Sequence, residues 1–362
     1  MRTRIGFLFL VAFATHFLVA LATTARAGLL TGDGIGVYGD SMSMQYSFWL
    51  PLAPQFNYKI SYNGTQYNWV DLLSQNNYNF GPPQTVLGHQ FLSYDAAVAG
   101  NKSSDLPNQV TTLQPDITAG NIKLVVEMIG ANDFDGSEYT TIYNNAANHS
   151  YNPLNDPSVV AYMNNVMGFI TASVNDTLTE NPATHMILAT IPDPGVTPEF
   201  HSSNPNATQR AAVDTVIQAL NQQILALAKA HHFPVIDMFA LANRSLTPLT
   251  VGGVSMIEAG GTSGKDEFLS DGFHPGTVVQ GLLANGILMA DHLAYHDPVT
   301  YLSDQYILTK ASVTHTGPTT FFNVSPFIIV PEPGTLALSG IGLVMIGVGY
   351  CQRRRRSTGR AS

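Results

Sequence analysis

The sequence predicts an α/β protein of three layers, in which helices cover both faces of a central, mostly parallel sheet. Two observations support this prediction. Short apolar runs alternate with longer segments of helical periodicity, which is the pattern of a parallel sheet with crossover helices. Two of these runs, 124–126 and 186–188, lack polar alternation, as expected for strands that are buried on both faces.

The strand and helix candidates follow in chain order. Strands are predicted at the apolar runs 35–38, 91–94, 123–129, 185–191 and 234–238. Helices are predicted at 157–174, 208–230 and 277–295. The second helix has the clearest pattern, because Ala212, Val216, Leu220 and Ile224 recur at helical spacing.

Two further segments carry neither pattern. Residues 143–157 are rich in Asn and Pro, which predicts an inserted loop. Residues 298–330 contain Pro318 and Pro326 and show little helical periodicity. They predict one or two late strands followed by a linker.

The middle of the chain is strongly acidic. Of the 16 basic and 25 acidic residues in the sequence, 8 basic and 24 acidic ones lie between residues 28 and 330, a net charge near −16. Such a surface cannot neutralise phosphates, so nucleic acid is excluded as a partner. The single cysteine, Cys351, lies near the C-terminus, which excludes an intramolecular disulfide and a thiolate zinc site in the body.

The first 27 residues are interpreted as a secretory signal. Arg2 and Arg4 give a basic start, and residues 5–22 are almost entirely apolar. Ala25 and Ala27 are small residues at the positions expected before a cleavage site. The alternative interpretation is an uncleaved membrane anchor.

The C-terminus carries a second sorting pattern. Pro331, Glu332 and Pro333 precede an apolar stretch of 17 residues, 335–351, which is near the lower limit for crossing a bilayer. Four arginines, 353–356, follow it and should stay cytoplasmic, which places the body outside the plasma membrane.

This order resembles the PEP-CTERM sorting signal of certain bacteria. The resemblance implies processing by an exosortase-type enzyme, transient membrane attachment through the C-terminal segment, and then release or attachment at the outer envelope. A eukaryotic glycolipid-anchor signal is the competing interpretation, but such signals end on the hydrophobic tail without a basic cluster.

Polar residues stand where the predicted strands end. Gly39-Asp40-Ser41 follows the first strand, Gly100 the second, and residues 130–133 the third. Asp271 and His274 precede the last predicted helix. Reactive groups of open parallel sheets collect at the carboxyl ends of the strands, so we expect these side chains to lie together.

The order of these residues resembles that of the SGNH hydrolases, the GDSL-type esterases and lipases. Ser41, Gly100, Asn132 and His274 match the four residues that name the family, and Asp271 matches the aspartate three residues before the histidine. The resemblance spans most of the body. It implies a flavodoxin-like three-layer fold, hydrolysis of lipid, sugar or small acyl esters, and no metal or other cofactor.

Elementary chemistry assigns the same residues their roles. A serine hydroxyl is a poor nucleophile until a base takes its proton, and His274 can do so if Asp271 holds its other ring nitrogen. The oxyanion of the tetrahedral intermediate needs hydrogen-bond donors. The backbone N–H groups of Ser41 and Gly100 and the side-chain amide of Asn132 are the candidates.

The sequence departs from the family pattern at two positions, and other residues are alternative site candidates. Met42 replaces the leucine usual after the nucleophile, and the match around Gly100 is loose. Asp237 ends the fifth predicted strand and rivals Asp271, although a capping role is the favoured interpretation. The adjacent His231 and His232 are weak metal-site candidates, since neighbouring helical positions point in different directions.

The chain is predicted to divide into a signal peptide, an SGNH hydrolase domain, an extension or linker, a sorting segment with a short transmembrane helix, and a tail. Their ranges are 1–27, 28–300, 301–330, 331–356 and 357–362.

The predicted function is that of an exported serine hydrolase, located at the bacterial envelope or outside the cell, that cleaves carboxylic esters through a Ser-His-Asp triad and an acyl-enzyme. Its substrate is a small acyl ester or a lipid. One alternative is an O-acetyl esterase acting on extracellular polysaccharide. Another is a non-catalytic envelope or matrix protein, against which the presence of all three triad residues argues.

Overall fold

The computed structural model describes residues 32–56, 58–134 and 136–331 of the chain. The predicted signal peptide, the apolar stretch 335–351, the arginines and the tail lie outside the described residues, as do Glu332 and Pro333 of the sorting motif. Within the described ranges, no helix combines the length and the apolar character needed to span a bilayer.

The described residues form eleven strands, five of which make the central sheet. The strands are β1 Gly34–Gly39, β2 Pro83–Val86, β3 His89–Leu92, β4 Ile122–Met128, β5 His185–Ala189, β6 Val235–Ile236, β7 Thr250–Val251, β8 Val254–Ser255, β9 Ile257–Gly261, β10 Asp266–Leu269 and β11 Ile328–Ile329. The order in the central sheet is β1-β4-β5-β6-β11. The first four strands are parallel, and β11 is antiparallel to β6.

Ten α-helices lie within the same described ranges. They are α1 Tyr46–Trp49, α2 Trp69–Ser74, α3 Leu106–Thr118, α4 Ser137–Asn145, α5 Pro157–Glu180, α6 Pro198–Ser203, α7 Ala207–His231, α8 Met238–Arg244, α9 Thr277–Tyr295 and α10 Asp304–Lys310. The three helices predicted from periodicity correspond to α5, α7 and α9.

The sheet separates two apolar cores. Successive side chains of a strand point to opposite faces. On β4, Val125 packs with α3, α5 and α7, whereas Leu124 and Val126 pack with α2 and α9. Helices therefore cover both faces of a mostly parallel sheet, and the predicted three-layer α/β/α class is confirmed.

Four of the five predicted strands are confirmed as β1, β4, β5 and β6, whereas the strand predicted at 91–94 overlaps β3, which does not belong to the central sheet. The strand there, β3, pairs with β2 in a separate exposed hairpin. The next residues run beside β1 instead, because the N–H of Val37 donates to the carbonyl of Tyr94 and the N–H of Val98 to that of Gly39. A short apolar run does not specify which strand will pair with it.

The structure of residues 143–157 and 298–330 differs in part from the prediction. Within 298–330, β11 confirms a late strand, but α10 is a helix that the sequence did not predict. Its side chains Ile307 and Leu308 are buried, and a helix of seven residues is too short to show a clear period. The predicted loop at 143–157 begins inside α4, whose Tyr139 and Ile142 are buried.

Candidate active site

The residues singled out in the sequence meet at the carboxyl edge of the sheet. Ser41 lies two residues beyond the end of β1, and Asn132 lies in a 3-10 helix just after β4. Asp271 and His274 occupy the turn between β10 and α9. Gly100 follows the segment that runs beside β1. All five line a single cavity of about 770 Å³.

His274 bridges Ser41 and Asp271. Its Nε2 lies 2.7 Å from the Oγ of Ser41, and its Nδ1 lies 2.5 Å from Oδ2 of Asp271. Ser41 is 5% exposed and His274 is 4% exposed, so little water competes for these contacts. With Asp271 ionised, Nδ1 carries the proton, and Nε2 accepts the hydrogen bond from the serine hydroxyl.

Asp271 is held by more donors than the histidine ring. Its Oδ1 accepts the backbone N–H groups of Phe273 and His274, at 3.0 and 3.1 Å. Its Oδ2 also accepts the hydroxyl of Tyr58, at 2.8 Å. Burial acts to raise the pKa of Asp271, but these hydrogen bonds and the charge of His274 outweigh it and hold the pKa below its ordinary value. The carboxylate is therefore ionised at neutral pH.

The turn that presents Asp271 and His274 depends on a glycine. Gly272 has a φ of +67°, in the left-handed region that favours glycine. Its N–H donates to the carbonyl of Leu269, whose own N–H donates to the carbonyl of His274, both at 2.8 Å. These bonds close the turn directly before α9. The two reacting side chains thus project from one short loop.

Asp40 shapes the backbone around the serine. Its Oδ1 accepts the N–H of Met42 at 2.9 Å, an Asx turn that encloses Ser41. Asp40 is 1% exposed, and its Oδ2 has no hydrogen-bond partner among the described residues. Burial raises the pKa of Asp40 to about 6. Met42 itself is buried in a core, which accommodates methionine in place of leucine.

Gly100 and Asn132, which carry two of the candidate oxyanion donors, line the same cavity as Ser41. The amide of Asn132 donates one hydrogen bond to the carbonyl of Asn101, at 2.9 Å. Gly100 has a φ of +83°, and apart from its chain neighbours no described residue lies within 4 Å of the position of an added Cβ. The backbone conformation, rather than crowding by the protein, therefore favours glycine at position 100.

The loop that carries Asn132 is fixed by its neighbour. The carboxylate of Asp133 accepts the N–H and the hydroxyl of Ser103, both at 2.8 Å. The hydroxyl of Tyr162 donates to the Asp133 carbonyl at 2.7 Å. Asp133 thus acts as a structural anchor, and no cluster of three potential metal ligands occurs within the described ranges.

Sequence reasoning missed several cavity residues. Tyr58, which bonds Asp271, belongs to no motif, and its ring also meets that of His274 at 5.8 Å between centroids. The ring of Trp49 lies 5.1 Å from that of His274. No local signal in the sequence identifies Tyr58 or Trp49, since each meets His274 only through the fold.

The rival candidates have other structural roles. Oδ1 of Asp237 accepts the N–H of Ala240 at 3.0 Å and so caps α8, which confirms the capping interpretation. The ring of His231 stacks on Phe233, and His232 ends α7 in the left-handed conformation. None of these three side chains lines the cavity of Ser41.

Comparison with known families adds two matches. The model of the GDSL-like lipase/acylhydrolase family matches residues 37–278. The model of the PEP-CTERM protein-sorting motif matches residues 330–356. The first match covers Ser41, Asn132, Asp271 and His274, and the second covers the Pro-Glu-Pro motif. No curated protein matches the chain.

Solved structures with a similar fold share few residues with this chain. A GDSL-like lipase from Bacteroides thetaiotaomicron is 16% identical, covering 78% of this chain and 99% of its own, with a TM-score of 0.38. An extracellular lipase from Streptomyces rimosus is 18% identical over 57% of this chain and 80% of its own, at 0.33. An acetyl xylan esterase is 15% identical over 71% and 98%, at 0.34. Their activities are not transferred to this chain at such similarity.

Proposed function

The chain belongs to the GDSL-like lipase/acylhydrolase family and is an ester-hydrolysing enzyme, and from this premise we propose that Ser41, His274 and Asp271 form its catalytic triad. The observation that carries the proposal is the double contact of His274. One ring nitrogen lies 2.7 Å from the serine hydroxyl and the other 2.5 Å from the carboxylate. This is the arrangement that general-base activation of a serine requires.

The proposed reaction has two halves. In the first, Oγ of Ser41 attacks the ester carbonyl while Nε2 of His274 takes the hydroxyl proton. The tetrahedral intermediate then collapses, His274 returns that proton to the leaving alcohol, and an acyl-serine remains. In the second half, His274 takes a proton from water, the hydroxide attacks the acyl-serine, and the carboxylic acid leaves as Oγ regains its proton.

Asp271 stabilises the imidazolium that forms twice in this cycle. Its lowered pKa keeps it negatively charged when His274 becomes positive, and its three further donors fix its position. The carboxylate therefore holds the histidine tautomer in which Nε2 is free to accept the serine proton.

Three donors are proposed for the oxyanion. An amide group has two N–H bonds, and the contact with Asn101 uses one of those of Asn132. The other is assigned to the oxyanion, together with the backbone N–H groups of Ser41 and Gly100. In a largely buried site such preoriented donors stabilise developing charge more strongly than water does.

The site of action is proposed to be outside the plasma membrane. The match to the PEP-CTERM motif supports export and processing by an exosortase-type enzyme, after which the body is released or held at the outer envelope. Cell fractionation of the native protein tests this part. Retention of the full protein in the cytoplasm would contradict it.

Covalent labelling tests the nucleophile. We expect a fluorophosphonate probe to label the full chain and the Ser41→Ala variant to lose both labelling and hydrolysis of nitrophenyl esters. The Ser43→Ala variant is the matched control, because Ser43 lies two residues away, does not line the cavity and is not assigned to the reaction. Labelling that persists in Ser41→Ala would place the nucleophile at another serine. No labelling of the wild type would favour a non-catalytic binding protein.

A chelator tests the proposal that the mechanism needs no metal. We expect the hydrolysis rate to be unchanged after treatment with ethylenediaminetetraacetate. Loss of activity that zinc restores would contradict the triad mechanism as written.

A further inference from the structure

The cavity around Ser41 has two chemically different parts. Besides Asp271, its charged lining residues are Lys59 and Glu199, which belong to segments that contact the His274 turn. Tyr58, next to Lys59, bonds Asp271, and the N–H of Glu199 donates to the carbonyl of Gly272 at 3.1 Å. The part of the cavity near the general acid therefore carries these charged residues together with the rings of Trp49 and Phe273.

A further part of the lining consists of apolar side chains. Met44 lies just before α1 and Phe48 lies in it. Val98 belongs to the segment beside β1, and Leu87 to the tip of the β2–β3 hairpin. Phe48 packs against Phe91 of the hairpin, with ring centroids 4.8 Å apart. An apolar wall thus extends from the region of the nucleophile to the hairpin.

Leu87 is an unusual residue for the turn it occupies. It is 67% exposed, the highest value among the large hydrophobic side chains of the described residues. With Gly88 it forms the two-residue loop between the paired Val86 and His89, and the φ angles are +52° and +83°. Hairpin loops with two positive φ angles favour Asn, Asp or Gly at the first position, and a branched apolar residue is strained there. Turn chemistry does not explain the leucine, but Leu87 also lines the cavity of Ser41.

The base of the hairpin is tied to the nucleophile loop. The side-chain oxygen of Gln45, four residues after Ser41, accepts the N–H of Leu92 at 2.8 Å. The same side chain donates to Asp71 of α2, and its backbone N–H donates to Asp95. Gln45 is buried, which makes this link between α1, α2 and the hairpin a fixed one.

We propose that Leu87 is a specificity-determining residue, which binds the far part of an aliphatic acyl chain along the apolar wall of Met44, Phe48 and Val98. The inference rests on the proposed function. His274 must give its proton to the leaving alcohol, so the alcohol part lies near His274. The acyl part is assigned to the apolar wall. A substrate with an acyl chain of several methylene groups fits this wall, whereas an acetyl group leaves most of it exposed to water.

The test compares chain lengths in a variant that suits the turn. Leu87→Asn removes the apolar side chain and supplies a residue that tolerates positive φ, so folding is retained. The ratio of kcat/KM for nitrophenyl decanoate to kcat/KM for nitrophenyl acetate should fall about tenfold, the size of effect that one or two methylene contacts have in a hydrophobic pocket. Val98→Thr, nearly equal in volume, should lower the same ratio less strongly.

Leu246→Asn is the matched control, because Leu246 is also exposed, at 48%, but does not line the cavity. It should leave the ratio unchanged. An unchanged ratio in Leu87→Asn, with Ser41 still labelled by fluorophosphonate, would overturn the inference and leave the proposed function standing. A wild type that hydrolyses only the acetyl ester would also overturn it, in favour of a deacetylase. Absence of labelling would instead contradict the proposed function itself.

Discussion

Among single residues, Asn132 gives the sharpest test of how charge is stabilised in the site. Asn132→Ala should lower kcat by about 10²–10³ and change KM little, since an oxyanion donor acts mainly on the transition state. Steady-state kinetics with active-site titration measures the change per functional molecule. If Asn132 only shapes its loop, the variant would lose thermal stability while kcat per folded molecule stays near that of the wild type.

Replacing Tyr58 tests how strongly Asp271 depends on the hydrogen bond from the Tyr58 hydroxyl. The hydroxyl bonds the same carboxylate oxygen as His274 Nδ1 does. In Tyr58→Phe the carboxylate loses one hydrogen bond, so its pKa should rise. On acidification, activity should therefore begin to fall at a higher pH than in the wild type. We expect kcat to fall about tenfold to a hundredfold, the effect of one hydrogen bond to a charged group. Tyr62→Phe, outside the cavity lining, is the control, and identical pH profiles in both variants would contradict the positioning role.

At the scale of single elements, β4 carries a buried carboxyl group that the reaction does not use. Burial raises the pKa of Glu127 to about 8, and although the Ser173 hydroxyl donates to it at 2.7 Å, its other oxygen has no partner among the described residues. Glu127→Gln keeps the volume and removes the titration. Its melting temperature should exceed that of the wild type at pH 9 and equal it near pH 5, as differential scanning calorimetry can measure. Asp176→Asn on the exposed side of α5 is the control. If the melting temperatures of the variant and the wild type depended on pH in the same way, the raised pKa of Glu127 would be contradicted.

The whole molecule combines several such groups, so its stability should depend on pH in a defined direction. Burial raises the pKa of other carboxyls as well, to about 6 in Asp40, about 7 in Asp214 and Glu267, and about 8 in Asp291. In the unfolded chain these groups titrate near 4. Between the two values the folded state binds protons that the unfolded state has lost, and stability therefore falls as the pH rises.

We accordingly expect the melting temperature to decline from about pH 5 to pH 9. The free energy of unfolding should fall by up to about 1.4 kcal/mol per pH unit for each such proton. Asp271 acts in the opposite sense. Its lowered pKa contributes stability above the unfolded value, which is lost as the pH falls through the folded one. The most stable pH should thus lie in mild acid, and a melting temperature that rises toward pH 9 would contradict the raised values.

Activity should depend on the protonation state of His274, because only neutral imidazole can accept the Ser41 proton. A profile of kcat/KM that remains flat from acid to neutral pH would count against His274 as the base.

The sequence by itself determined the layer architecture and singled out the residues proposed for the triad. Strands β1, β4, β5 and β6 and helices α5, α7 and α9 could be predicted because periodicity along the chain reflects burial, which is a local consequence of packing. The meeting of Ser41 and Asn132 could be predicted because parallel strands place their carboxyl ends at one edge. Asp271 and His274 were singled out by their order and spacing before the last helix, not by a strand of the central sheet.

Only the tertiary structure decided what surrounds those residues. The hydroxyl of Tyr58 meets Asp271 across 213 positions of the chain, and residues beyond β3, rather than β3 itself, run beside β1. Leu87 became informative only when its φ and its place on the cavity were known. Such contacts join segments that are distant in sequence, and neither periodicity nor a motif records which distant segments the packing of the two cores brings together.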